Sequence, residues 1–90
     1  MKIVAICGAG IGSSSILKVN AERVLGRLGI EAEVMATDVA SVQRDAADAQ
    51  VILTSAEFVA AIGKTFADVI VIVNYFDAAE LSEKLEKALG

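Results

Sequence analysis

Short strand-like runs alternate along this chain with longer stretches whose apolar residues recur at helical spacing, and no other feature limits the possible folds as much. Ile3 to Cys7 and Val51 to Thr54 are continuous apolar runs, which suit strands covered on both faces. Glu31 to Ala36 alternates polar with apolar, as an edge strand does. Asp68 to Val73 carries consecutive β-branched residues from Val69 to Ile72, which predicts a fourth strand lying inside the sheet. Strands separated by helical crossovers pair in parallel, with right-handed connections. The expected architecture is therefore α/β: a four-stranded parallel sheet of order 2-1-3-4 with helices on both faces, in three layers. Ligands of such sheets bind beyond the carboxyl ends of the strands, where chain direction reverses. Cys7, Asp38, Ser55 and Asn74 fall at or just past those ends.

The helices have readable ends. From about Ser13 to Leu28, the residues Leu17, Ala21, Val24 and Leu28 make one buried stripe. Gly29 is placed as the C′ stop with Ile30 covering it, and Arg23 and Arg27 favour the negative end of the helix dipole. Gly26 costs about 1 kcal/mol relative to alanine, which the packing stripe outweighs. Residues 37–48 read as a loop or a poorly formed helix. After Val51 to Thr54 a short helix is expected, capped by Ser55 and ended by Gly63. The last helix has Asp77 as N-cap, Glu80 three positions on to complete a capping box, and Phe76 to staple against Leu81. Leu81, Leu85 and Leu89 form its buried face, while Glu80/Lys84 and Glu83/Lys87 pair along the outside.

Composition removes several function classes. Ninety residues without an interior linker suggest one domain over residues 1–90. The single cysteine excludes an intrachain disulfide framework and points to a reducing compartment, and no Cys or His cluster could hold a structural metal. The first residues read as a strand that stays on the protein, not as a signal peptide. Val69 to Val73 is far shorter than the ~20 residues that span a bilayer, so no membrane insertion is expected. A net charge of -4 without a basic block, and few aromatics, argue against nucleic-acid binding. No histidine is present, so covalent or acid–base chemistry must use other side chains.

The segment that carries chemistry is Cys7-Gly8-Ala9-Gly10-Ile11-Gly12-Ser13-Ser14-Ser15, between the first strand and the first helix. Its glycines let backbone N–H groups converge without Cβ obstruction, its serines add hydroxyl donors, and the helix N-terminus supplies partial positive charge. Residues Gly8 to Ser14 thus have the plan of a phosphate cradle. Cys7 lies where the same field favours its thiolate, whose free pKa of ~8.5 falls at helix N-termini. Each element has an ordinary explanation by itself: a strand-end cysteine is often a small buried hydrophobe, glycines permit tight turns, and serines cap helices. Their coincidence within nine residues favours a reactive Cys7. Asp38 and Asn74 are explained equally well by turn capping.

C-G-A-G-I-G-S-S-S in a chain with this element order resembles the enzyme IIB components of sugar phosphotransferase systems (PTS), over the whole chain. It is most similar to the ascorbate type, with a helix bearing an early lysine, here Lys18, the pair Thr37 and Asp38, and a strand leading to Asn74. The resemblance implies a cytoplasmic phosphotransferase without a cofactor, peripheral to the inner membrane through its transporter. Cys7 would accept a phosphoryl group from a phosphohistidine on a IIA protein and pass it to a sugar, ascorbate or a related compound, held by a membrane IIC component. A galactitol-type IIB is the alternative substrate class. Such transfer needs in-line positioning and stabilised charge more than covalent help.

The architecture also resembles low-molecular-weight tyrosine phosphatases and the related arsenate reductases, which carry C-x5-R-S in this loop. Here Ser13 stands at the arginine position, so the bidentate clamp for a phosphoester is missing. A nucleotide-binding module is the non-catalytic alternative. Gly8-Ala9-Gly10 begins like a dinucleotide fingerprint, but Ser13 stands where the third small residue belongs and four strands fall short of the two-half arrangement.

Overall fold

A computed structural model describes residues 1–6, 13–74 and 77–89, with the backbone alone at 13–15 and 89. The elements follow the order β1 (Lys2–Ile6), α1 (Ser13–Leu28), β2 (Glu33–Thr37), a 3-10 turn (Val39–Ser41) running into α2 (Val42–Asp45), β3 (Val51–Thr54), a 3-10 turn (Ala56–Phe58) running into α3 (Val59–Ile62), β4 (Asp68–Val71) and α4 (Ala78–Leu89). The sheet is parallel with order β2-β1-β3-β4, as the alternating pattern predicts.

Period-two alternation divides the strand residues between two cores. Ile3 and Ala5 of β1 and Val51 and Leu53 of β3 face one side, where they meet Leu17, Ala21, Val24 and Leu25 of α1 and Leu81 and Leu85 of α4. Val4, Ile6 and Ile52 face the other, against Val42, Ala46, Ala49, Ile62 and Ala67. Leu25 thus joins the α1 stripe beside the expected residues, while Leu28 is only half-buried. The two faces are covered unequally. Helices of 16 and 12 residues roof the first, whereas α2 and α3 have four residues each.

Helix α1 ends as its sequence indicates. Gly29 has a φ of 71° and its N–H donates to the Gly26 carbonyl, while the Ile30 N–H reaches back to Leu25 at 2.9 Å. This pair of bonds is the Schellman arrangement, and a left-handed residue at C′ is why glycine is needed there. Gly63, also at φ 71°, stops α3. Residues 37–48 resolve into a 3-10 turn and one helical turn, and the turn starts because Asp38 Oδ1 accepts from the Ser41 N–H at 2.8 Å.

Two expectations are corrected. β4 pairs only with β3 and is an edge strand, with Val69, Ile70 and Val71 half-buried. Its β-branched run reports strand propensity, and no further strand follows among the described residues to cover it. Ser55 stands at the N-cap position of the turn after β3, but its side chain makes no capping hydrogen bond; its hydroxyl donates to Glu57 Oε1 at 3.0 Å.

Candidate functional site

The strand register sets the geometry of the edge to which the chemistry was assigned. Ile6 pairs with Thr37, Ala5 with Leu53 and Thr54 with Val71, so the carboxyl ends of all four strands finish nearly level. Asp38 and Ser55 follow directly on this edge, and Asn74 lies three residues beyond β4. Cys7, Gly8, Ala9, Gly10, Ile11 and Gly12 lie outside the described residues; they join Ile6, at the end of a central strand, to Ser13, which with Ser14 opens α1. The first turn of α1 holds no acidic side chain, so its positive dipole end is not neutralised from within the helix.

The polar groups along the edge are engaged by partners close by in the chain. Thr37 donates its hydroxyl to Asp45 Oδ2 at 2.5 Å, and that bond, ahead of the Arg44 contact, holds the Asp45 carboxyl below its ordinary value. Asp38 is used as the cap of the following turn. Lys18, on the first turns of α1, pairs with Glu22 at 3.3 Å. Asn74 contributes its backbone: its carbonyl accepts from the Asp77 N–H at 3.0 Å and its own N–H donates to Glu80.

Sequence reasoning missed Thr54 at this edge and gave Glu80 only part of its role. Thr54 is fully buried at the end of β3, with its hydroxyl donating to the Ser55 carbonyl at 3.3 Å. A threonine closing an otherwise aliphatic run is the one signal it offers. The capping-box pattern places the Glu80 side chain at its own N-cap. Asp77 does cap α4, its Oδ1 accepting from the N–H groups of Ala79 and Glu80 at 3.0 and 3.1 Å, but Glu80 does not complete the box. Its carboxylate accepts instead from the N–H groups of Val73 at 2.8 Å and Asn74 at 2.9 Å, and from Lys84 Nζ at 2.6 Å. Lys84 also donates to the Val71 carbonyl at 2.6 Å. The lysine hydrogen bond, then the Val73 amide, pull the Glu80 carboxyl down to about 2. The expected staple partner, Phe76, lies outside the described residues.

Residues 2–87 match the family model for the lactose/cellobiose-specific IIB subunit of the PTS. The chain belongs to that family. The ascorbate-specific PTS EIIB component of Mycoplasma pneumoniae is 27% identical to it, over 99% of this chain and 95% of the relative. This protein is therefore a sugar PTS IIB component, and its role is that of a transferase in a system that also contains IIA and IIC components. The phosphatase-like and nucleotide-binding alternatives give way to this membership. No helix among the described residues of this IIB component is long and apolar enough to cross a membrane.

Proposed function

We propose that Cys7 is the phosphoryl-carrying residue of this IIB component and that Gly8, Ala9, Gly10, Ile11, Gly12, Ser13 and Ser14 cradle the group. One observation carries the reading: a member of a phosphotransferase family has no histidine and one cysteine, placed directly after the end of β1 and before the unneutralised N-terminus of α1. The Cys7 thiolate attacks phosphorus of a phosphohistidine on IIA; the P–S bond forms, the P–N bond breaks, and the imidazole nitrogen keeps the electron pair. In the second step a sugar hydroxyl attacks the same phosphorus; the P–O bond forms as the P–S bond breaks, the thiolate leaves with the electron pair, and the hydroxyl proton is released to solvent. Backbone N–H groups stabilise charge on the equatorial oxygens in both steps. The missing histidine is supplied by the partner.

Ascorbate or a related compound is the proposed substrate, supported by the specificity in the relative's name. The sugar is held by a membrane IIC component, so this protein works at the cytoplasmic face of the membrane. One surface around the loop must serve IIA and IIC in turn, so each interface is small, near or below ~1,200 Å². The test is transfer from phosphorylated IIA with mapping of the modified residue. Cys7→Ser folds normally and carries no phosphate, because a serine hydroxyl without a neighbouring base is a poor nucleophile at neutral pH. Ser13→Ala slows transfer without abolishing it, since its hydroxyl is one donor among several. Wild-type transfer by Cys7→Ser would move the acceptor elsewhere.

A further inference from the structure

The thinly roofed face of the sheet contains a cleft of about 500 Å³ between α2 and the segment that leads from α3 into β4. Ile52, Val42 and Ile62 form its apolar floor, and Ala47, Lys64 and Phe66 stand at its exposed rim. Lys64 and Phe66 lie between α3 and β4 and Ala47 between α2 and β3, so the rim belongs to the amino-terminal side of the sheet, away from the edge assigned to phosphoryl transfer. The size falls within the range of small-molecule sites, which combine an apolar lining with a few placed polar groups.

Those polar groups are donors. Lys64 makes no ion pair among the described residues, in contrast to Lys2, Lys18, Arg44, Lys84 and Lys87. Asp45 and Asp48, which follow the cleft-lining residues of α2, are engaged by Thr37 and Arg44 and by Lys2. The adjacent Thr65 accepts from the Ala67 N–H at 3.1 Å, which leaves its O–H to donate. Gln43 donates its side-chain amide to the Ile62 carbonyl and so ties α2 to the end of α3 across the cleft. Beside these donors the Phe66 ring is fully exposed, although apolar side chains of that size usually find cover.

From this combination we infer that the cleft binds a small carboxylate with an apolar body, the body lying over Ile52, Ile62 and Phe66 and the carboxylate meeting Lys64 and the Thr65 hydroxyl. The site is separate from the phosphoryl cradle and adds a ligand-binding function to this IIB component.

Amide NMR titration of the full chain with 4-phenylbutyrate tests it, with 4-phenylbutylamine as the cationic counterpart and acetate as an anion without the body. The expected result is saturable shifts centred on Val42 to Ala47 and Lys64 to Phe66, much weaker shifts with the amine, and none with acetate. Lys64→Glu should weaken 4-phenylbutyrate roughly five- to tenfold, through loss of one attraction and gain of one repulsion. Ala47→Trp, at an exposed position on the rim, should fill the cleft and abolish the shifts; if that variant does not fold, the charge comparison and Lys64→Glu still decide. Shifts that never saturate, equal binding of the amine, an unaffected Lys64→Glu, or shifts centred on the start of α1 would each overturn the inference.

Discussion

Replacing Glu80 by glutamine removes a charge while leaving the side chain's shape and one acceptor oxygen in place. In the wild type that carboxylate receives two consecutive backbone N–H groups, from Val73 and Asn74, and the Lys84 ammonium. These partners lower its pKa from an ordinary 4.5 to about 2. At about 1.4 kcal/mol for each tenfold change in proton affinity, the full difference is worth ~3 kcal/mol. Glu80 is 16% exposed and Lys84 35%, so solvent screening reduces this to about 1–2 kcal/mol. For a chain of this size that is a drop in Tm of roughly 5–15 °C. The sign with pH follows from the depressed value. The ionised form is the one the folded state prefers, so the stabilisation is complete above about 4.5 and is lost as pH falls towards about 2. Urea unfolding of wild type and Glu80→Gln at pH 7, 4 and 2 should therefore show a gap of about 1–2 kcal/mol that closes by pH 2. A variant within 0.3 kcal/mol (roughly the scatter of such measurements) of wild type at pH 7, or a gap unchanged at pH 2, would refute the electrostatic account of this turn.

Leu85→Ala empties a fully buried position between α4 and the sheet and should cost about 3 kcal/mol by chemical denaturation. Gly29→Ala meets no atom within 4 Å, so its cost of about 1 kcal/mol arises from the left-handed backbone alone, and Gly29→Asn should recover part of it in the same assay. Cys7 should alkylate faster than a free thiol at mildly acidic pH, since the helix N-terminus favours its thiolate. Slow labelling that rises only on unfolding would return Cys7 to a packing role.

Much of the fold was legible because its signals are local. The strand runs, the stripe on α1, the glycine at position 29 and the aspartate cap of α4 each depend on backbone geometry within a few residues; the glycine stop and the cap are found where the pattern puts them, while the stripe takes in Leu25 with Leu28 half-buried and the β4 strand stops at Val71, short of the expected Val73. The sheet order follows almost as directly, since right-handed crossovers between parallel strands leave few arrangements. The candidate site was legible as a set of strand-end positions, and the level register of Ile6, Thr37, Thr54 and Val71 brings those ends together. What Thr54 and Ser55 touch was not legible, because a hydroxyl at a strand end can bond any of several neighbouring backbone or side-chain groups and the folded turn selects one.

Sequence alone determined the alternation of strands and helices, the two ends of α1, the start of α4, and the coincidence of one cysteine with a glycine- and serine-rich segment at the first strand end. Tertiary structure decided that β4 lies at the edge, that Glu80 leaves its own helix to hold the Val73–Asn74 turn, and that one sheet face is roofed so lightly that a cleft remains beside Lys64 and Phe66. The division has one physical cause. A cap or a helix stop is satisfied by neighbours within four residues, whereas the partner of a side chain on an element's surface depends on which other element is packed there, and burial of apolar area across the whole chain makes that choice.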